Sequence, residues 1–258
     1  VYPLGDLPGS AHAPPTNPRS RAATGTRSAH LLASLPIGRP EALSWVALDD
    51  SPGASLLIVD SQRRGGWSLS AVSGDGTEIP GLEDLRHSRQ LCAADLDNDG
   101  ELELVAIDAE GWLRMFRQHG PRWDEVAGEV PEGLPDPNAA MVLCDLNGDG
   151  TVELVLMMPK TGLVSILGTA EARWNPWLTV VPQTEAGAPA RGAVVMADWG
   201  EGPRYRVVPA GGSALASAPE AHFGLGEASR AIRVQVRFPG GQFRELNDVP
   251  ARQRLVVS

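Results

Sequence analysis

Two stretches decide the fold: Asp95-Leu-Asp97-Asn-Asp99-Gly100-Glu-Leu-Glu103-Leu104 and its repeat, Asp145-Leu-Asn147-Gly-Asp149-Gly150-Thr-Val-Glu153-Leu154. Both copies place side-chain oxygens at alternate positions, followed by a glycine. Such oxygens converge on one point only where the backbone curls around it, and glycine permits that curl. The spacing therefore predicts two loops that bind Ca²⁺. A solvated acidic turn without metal is the alternative.

The predicted ligands are the side chains at positions 1, 3, 5 and 9 of each loop and the carbonyl at position 7. They are Asp95, Asp97, Asp99, Glu101 and Glu103 in the first loop, and Asp145, Asn147, Asp149, Thr151 and Glu153 in the second. Because Asn147 is neutral, the second loop is expected to bind more weakly. The sites are not EF-hands, since position 12 is Ala106 or Leu156 rather than glutamate.

Short apolar runs flank both loops, so each loop reads as the turn of a β-hairpin. The two loops start 50 residues apart, and an earlier copy without most of the ligands spans Trp45–Asp60. A period of this length is typical of the four-stranded blades of a β-propeller. The sequence thus predicts about three blades, fewer than a closed propeller needs.

The two acidic segments resemble the FG-GAP or VCBS repeat, a calcium-bearing propeller blade. The resemblance implies a non-catalytic scaffold whose ions stiffen the hairpins. Since about three blades do not close a ring, the propeller is either open or covered by another chain at its exposed edges.

The C-terminal third has its own motif, His222-Phe-Gly-Leu-Gly226, followed by an alternating strand, Ile232–Phe238, and a Pro-Gly-Gly turn. With the close Val249-Pro-Ala-Arg-Gln253, this order resembles the ASPIC/UnbV domain. Phe238 and Gly241 depart from the family pattern but retain an aromatic residue and a glycine turn. FG-GAP repeats followed by this domain are similar to the cartilage acidic protein family, which implies an extracellular calcium-binding adhesion or assembly protein.

The predicted fold is all-β: a partial, three-blade propeller followed by a small β-sandwich-like domain. The predicted divisions are a proline-rich arm (1–28), the blades (29–182) and the ASPIC/UnbV domain (190–258). The arm has too little apolar surface to offset its chain entropy, so it is expected to be ordered only by a partner. The first residue, Val1, fits either a processed N-terminus that has lost a signal peptide or a sequence that simply begins there.

Composition excludes several functions. A formal net charge of -10 argues against a nucleic-acid or anionic-membrane surface, and no apolar run approaches the ~20 residues that cross a bilayer. The five histidines lack metal-ligand spacing, and HExxH, GxSxG and phosphate-loop motifs are absent from the sequence. We therefore predict no catalytic residues and no enzyme. His222 is interpreted as a turn histidine bonded to backbone beside a buried Phe223, with a general base as the alternative.

Other side chains leave alternatives open. Cys92 and Cys144 precede the two loops and form either a disulfide or two buried thiols. Trp67 and Trp112 are predicted to pack between blades. The neighbouring Trp174 and Trp177 either pack against the next domain or contact a sugar or protein partner.

These features predict a non-enzymatic, calcium-binding interaction or accessory protein of a larger assembly that is periplasmic, secreted or on the cell surface. The alternative is a carbohydrate-binding module or the non-catalytic part of a secreted polysaccharide-active enzyme. Removing calcium is expected to loosen the blades and to spare the C-terminal domain.

Overall fold

The computed structural model describes residues 40–46, 55–60, 66–70, 76–82, 85, 88–120, 122–128, 131–209 and 218–258, with only the backbone before residue 79. All of these lie in one unit, Ile37–Ser258. The predicted proline-rich arm, Val1 and Trp67 as a packing side chain lie outside what is described. Every regular element in the described residues is a β-strand, which confirms the all-β prediction.

The N-terminal part forms three antiparallel blades in which consecutive strands pair. Blade 1 contains β1 (Pro40–Val46), β2 (Ser55–Asp60), β3 (Gly66–Ser70) and β4 (Gly76–Glu78). Blade 2 contains β5 (Gln90–Ala94), β6 (Glu103–Ile107), β7 (Leu113–His119) and β8 (Arg122–Val126). Blade 3 contains β9 (Ala140–Cys144), β10 (Glu153–Met158) and β11 (Leu163–Leu167). Within the described stretch 131–209 this sheet has three strands, and β11 is followed by turns at residues 168–176.

The two acidic loops are the hairpin turns that the sequence predicts. The first, residues 95–102 (loop 1), joins β5 to β6, and the second, residues 145–152 (loop 2), joins β9 to β10. The last glycine of each curl has a left-handed backbone, with φ of 99° at Gly100 and 84° at Gly150. An alanine would be strained there, so glycine is a requirement of the curl.

The blades are held together by apolar faces. Val105 and Ile107 of β6 pack with Leu154, Leu156 and Met158 of β10 in one buried cluster between blades 2 and 3. Each deeply buried aliphatic side chain in such a cluster contributes about 1.5–3 kcal/mol relative to exposure.

The opposite face of blade 2 has a cluster of its own. The rings of Phe116 and Trp123 pack there with Leu82 and Leu85, which follow blade 1 in the chain. Trp123 is the buried tryptophan of this region. The prediction for Trp112 was wrong, because its side chain is 41% exposed at the turn that precedes β7.

The outer face of blade 3, the side turned away from blade 2, is apolar and exposed. Met157, Val164 and Ile166 are 49%, 62% and 55% exposed and lie on paired positions of β10 and β11. Met157 lies 50 residues after Ile107, and the strand pairing of the two blades aligns Val164 and Ile166 with Leu113 and Met115 of blade 2. In blade 2 those positions belong to the cluster that blade 3 covers.

Both cysteines are free thiols. Cys92 packs into the cluster between blades 2 and 3, and burial raises the pKa of its thiol to about 12. Cys144 pairs with Glu153 on the outer face of blade 3. The thickness of blade 3 therefore lies between the two sulfurs, so the disulfide alternative is not realised, and only Cys92 contributes to packing between sheets.

The C-terminal part is a β-sandwich. One sheet has the order β15-β12-β18, with β12 (Trp177–Pro182), β15 (Ala221–Gly224) and β18 (Gln253–Val257). The other has the order β14-β13-β16-β17, with β13 (Val194–Asp198), β14 (Pro203–Val207), β16 (Arg230–Arg237) and β17 (Phe243–Pro250). Their facing side chains form one core that includes Leu178, Phe223 and Val234. Strand β12 thus pairs inside the C-terminal part, although the sequence division 29–182 placed it with the blades.

Candidate metal centre

Loop 1 brings three carboxylates together. One carboxylate oxygen from each of Asp95, Asp97 and Asp99 lies within 4.8 Å of the others, and the first two side chains are buried. Three negative charges at this separation repel one another strongly away from water. The arrangement is one that a divalent cation would stabilise.

Asp95 shows why a cation fits. Its Oδ2 atom accepts hydrogen bonds from the backbone N–H of Gly100 at 2.9 Å and of Gly224 at 3.0 Å. Its Oδ1 atom is buried without a hydrogen-bond partner, and the side chain is 2% exposed. Burial, followed by repulsion from Glu103, raises the pKa of Asp95 to about 8. A buried carboxylate oxygen without a donor costs free energy, which coordination of a hard cation would recover.

Glu103, the predicted ligand at position 9, has other partners. Its Oε2 atom accepts a hydrogen bond from the backbone N–H of Leu96 at 2.8 Å, and its Oε1 atom accepts one from Nε of Arg117 at 3.0 Å. Arg117 also pairs with Asp97. Burial raises the pKa of Glu103 to about 7. This carboxylate therefore closes the loop and links it to β7, while the side chain of Glu101 pairs with Arg204 at 3.0 Å.

Loop 2 repeats the backbone arrangement but not the burial. Asp145 accepts the backbone N–H of Gly150 at 2.9 Å, and Glu153 accepts that of Leu146 at 2.8 Å, as their counterparts do in loop 1. Residues 146–149 are exposed. Of the described residues, only the aspartates of loop 1 form a cluster of three potential metal-binding carboxylates.

The side chains of loop 2 also satisfy one another. The amide of Asn147 donates to Asp149 Oδ2 at 2.9 Å, and the Thr151 hydroxyl donates to Asp149 as well. The hydrogen bond from Thr151 lowers the pKa of Asp149. Compared with loop 1, loop 2 has less unbalanced charge for a cation to neutralise.

Asn98, which the sequence reading did not select, joins loop 1 to the rest of the protein. It is fully buried, and its side-chain amide donates to the carbonyls of Gly150 at 2.9 Å and Ala172 at 3.1 Å. Its Oδ1 atom lies 2.7 Å from Nε2 of His222. The equivalent position in loop 2 is the exposed Gly148. This difference at position 4 is the sequence signal that could have identified Asn98.

The network around Asn98 also assigns the role of His222. Since the Asn98 amide group donates to two carbonyls, its Oδ1 atom accepts, so Nε2 of His222 carries the proton. Nδ1 of His222 then accepts from the hydroxyl of Thr179, 3.0 Å away. Burial, with a contribution from Arg206, lowers the pKa of His222 to about 4. The predicted backbone partner was wrong, but Phe223 is buried as predicted, and His222 is a neutral structural group.

Glycines and tryptophans make the close approach of these elements possible. A Cβ on Gly224 would clash with the Asp95 carboxylate and the Asn98 backbone, and one on Gly150 would clash with the ring of Trp177. A Cβ on Gly100 would come within 2.8 Å of the Trp199 ring. Trp177 thus packs against the neighbouring loop, whereas Trp174 is 72% exposed.

Comparisons with known protein families agree with the two resemblances. Residues 95–156 match the FG-GAP-like repeat, and residues 183–258 match the ASPIC and UnbV family. The chain therefore carries an FG-GAP-like repeat region followed by an ASPIC/UnbV domain, as the motifs predict.

Curated relatives carry the name Cartilage acidic protein 1. The chain is 36% identical to the Mus musculus protein over 170 residues and 35% identical to the Homo sapiens protein over 175 residues. These alignments include 60% and 62% of this chain and 26% of each relative. The chain thus spans about a quarter of the length of the relatives it matches.

Two solved structures resemble the chain weakly. An auxiliary nutrient binding protein from Bacteroides ovatus has 11% identity and a TM-score of 0.31, over 87% of this chain and 55% of that one. The WD40 domain of SCAP from fission yeast has 8% identity and a TM-score of 0.26, over 79% of this chain and 64% of that one.

None of the described residues form a helix of the length and apolar character that a membrane span requires.

Proposed function

We propose that this protein is a non-enzymatic, calcium-binding interaction or accessory protein of an extracytoplasmic assembly. The observation that carries the proposal is the buried, unpartnered Oδ1 atom of Asp95 beside the carboxylates of Asp97 and Asp99. Carboxylate and carbonyl oxygens are the ligands that Ca²⁺ prefers. The extracytoplasmic setting is supported by the names of the curated relatives and by the calcium concentration outside cells, which fills sites of modest affinity.

Each of the two loops is proposed to hold its own Ca²⁺ ion, through the ligands that the spacing of its residues predicts. Loop 1 is expected to bind calcium more tightly than loop 2. Three aspartates, two of them buried, should attract the cation more strongly than the half-buried Asp145 and the exposed Asn147 and Asp149. The ion would neutralise part of the acidic charge and hold the curl of the hairpin. Glu103 and Glu153 would support the loops through the N–H groups of Leu96 and Leu146.

Calorimetric titration with Ca²⁺ should show two ions of unequal affinity. Replacing Asp95→Asn should abolish the tight phase, and Asp145→Asn should abolish the weak phase and leave the tight one unchanged. A single phase, or two phases that respond to the same substitution, would contradict the assignment. Thermal unfolding in saturating Ca²⁺ serves as the control for folding of each variant.

The assembly role is supported by the outer face of blade 3. This face repeats the positions at which blade 2 is covered, so its best-fitting occupant is another blade of the same repeat type with an aliphatic face. Exposed, aligned aliphatic side chains of this kind are typical of a surface that another protein covers. We therefore assign the outer face of blade 3 as the contact of the assembly.

A photo-crosslinking amino acid in place of Val164 tests this contact in cells that produce the protein. The expected product joins Val164 to a strand of an FG-GAP-like blade, from a second copy or from another chain, as read by mass spectrometry. Adding Ile166→Lys should reduce the yield at least tenfold, while Ser165→Lys, at the half-buried position between them, serves as the matched control. A product joined to any other fold, or no product, would overturn the assignment.

The carbohydrate-binding alternative receives less support. Of the two neighbouring rings, Trp177 is engaged within the protein, because it packs at Gly150 and stacks with His222 at a centroid distance of 6.4 Å. Trp174 is exposed with the Arg173 guanidinium 5.2 Å from its ring. The predicted packing role thus applies to Trp177, and a sugar site would depend on Trp174.

A further inference from the structure

Two loops of nearly the same sequence have different surroundings. In loop 1, residues 95–98 are buried, whereas in loop 2 residues 146–149 are exposed. This difference in burial does not arise within the hairpins, because the same hydrogen bond closes both loops. Asp95 accepts the N–H of Gly100 at 2.9 Å, and Asp145 accepts the N–H of Gly150 at 2.9 Å. The difference arises because the C-terminal domain and the segment that precedes it, which includes Thr169, Ala172 and Asn175, both contact loop 1.

The contacts come from the end of β15 and the turn that follows it. The N–H of Gly224 donates to Oδ2 of Asp95 at 3.0 Å, and the N–H of Gly226 donates to the carbonyl of Asn98 at 3.0 Å. His222 donates to the Asn98 side chain at 2.7 Å. Every second residue of the His222–Gly226 motif, namely His222, Gly224 and Gly226, therefore contacts loop 1.

These hydrogen bonds act on the orientation of Asp95. Gly100 and Gly224 both donate to its Oδ2 atom, which leaves Oδ1 as the atom without a protein partner. Asn98, held by His222 and by the carbonyls of Gly150 and Ala172, fixes the backbone between Asp97 and Asp99. Both effects arrange carboxylates before a cation arrives.

We infer that the C-terminal domain is part of the loop 1 cation site: His222 and Gly224 act as positioning residues for Asp95 and Asn98, and bound Ca²⁺ in turn holds the C-terminal domain on blade 2. The inference rests on the proposed calcium binding at loop 1. Binding and docking strengthen each other by the same factor, because coupling between two equilibria is reciprocal. Calcium removal should therefore be felt inside the C-terminal domain.

The sequence alone predicts that calcium removal spares the whole C-terminal domain. The hydrogen bonds from Gly224 and Gly226 to loop 1 change this prediction for the part of the domain that contacts the loop. In the wild-type chain, removal of calcium should raise hydrogen exchange at the amides of Gly224 and Gly226. The amides of Val234 and Val236, in the centre of the other sheet, should keep their protection. Unchanged protection at Gly224 and Gly226 would overturn the inference.

A reciprocal exchange at position 4 supplies matched variants. Asn98→Gly gives loop 1 the residue of loop 2 and keeps all of its predicted ligands, and the left-handed φ of 61° accepts glycine. Gly148→Asn makes the reverse change, at a site where a Cβ meets no atom within 4 Å. Asn98→Gly should weaken Ca²⁺ binding at loop 1 by about 10- to 100-fold, as loss of supporting hydrogen bonds does at other metal sites. Gly148→Asn should leave the Ca²⁺ affinity of loop 2 within about threefold of the wild-type value.

His222→Ala is the second variant, and the wild-type exchange experiment does not depend on either variant folding. Loop 1 affinity that stays the same in both Asn98→Gly and His222→Ala would overturn the inference and leave the proposed function intact. Absence of Ca²⁺ binding at loop 1 in the wild-type chain would instead refute the proposed function, and this inference with it.

Discussion

Replacing Gly224 by alanine is expected to destabilise the protein by about 3 kcal/mol or more. The added Cβ would clash with the Asp95 carboxylate and with the backbone of Asn98, and backbone atoms cannot move aside cheaply. Overpacking at a tight contact costs about 1–3 kcal/mol, and loss of the hydrogen bond to Asp95 adds to it. Urea unfolding of the wild type and the variant, both in saturating Ca²⁺, measures the difference.

Gly240→Ala is the matched control in the same domain. An added Cβ there meets no atom within 4 Å, so the expected change is within about 0.5 kcal/mol. Equal effects of the two substitutions would show that β15 does not press on loop 1. The Gly224→Ala variant should also lose the tight Ca²⁺ phase, since Asp95 must move.

The calcium-free protein is expected to lose stability as pH rises from about 5 to 8. Burial raises the pKa of Asp95 to about 8 and that of Glu103 to about 7. Unfolded carboxyl groups titrate near 4, so between these values the folded state binds more protons than the unfolded state. The free energy of unfolding therefore falls with increasing pH, by an amount on the order of a few kcal/mol.

Calcium should reverse this trend, because the cation binds the deprotonated carboxylates and its affinity rises as protons leave. Urea unfolding at about pH 5 and pH 8, in calcium-free and calcium-saturated buffer, provides the comparison. Asp95→Asn removes one titrating group and should flatten the calcium-free profile. Calcium-free stability that rises between the two pH values, or the same slope in Asp95→Asn, would contradict the explanation.

The local structure of this protein could be predicted well from its sequence. The positions of Gly100 and Gly150 within the acidic repeats predict hairpin turns, and the flanking apolar runs predict β5, β6, β9 and β10. The alternation near Val234 and the turn at Gly240 likewise predict the β16–β17 hairpin. These features depend on contacts within a few residues, which pattern and turn chemistry capture.

Tertiary contacts could not be predicted in the same way. Ligand spacing is the same in loops 1 and 2, and the neutral Asn147 is the sequence feature that predicts weaker binding at loop 2. The burial of loop 1 could not be predicted, because it depends on contacts such as the one from Gly224, 129 residues after Asp95. The carboxylate of Glu103 bonds the loop backbone and Arg117, a choice that spacing alone does not decide. Trp112 and Trp123 lie on neighbouring strands or turns of one blade, and only packing determines which ring is buried.

Anomalous diffraction from crystals of the full chain grown with calcium would test directly whether loop 1 binds Ca²⁺. We expect a peak at loop 1, about 2.3–2.6 Å from the Oδ1 atom of Asp95 and bound by oxygens of Asp97 and Asp99. Loop 2 should show a second peak of lower occupancy when calcium is limiting. The absence of a peak among Asp95, Asp97 and Asp99 in calcium-saturated crystals would contradict calcium binding at loop 1.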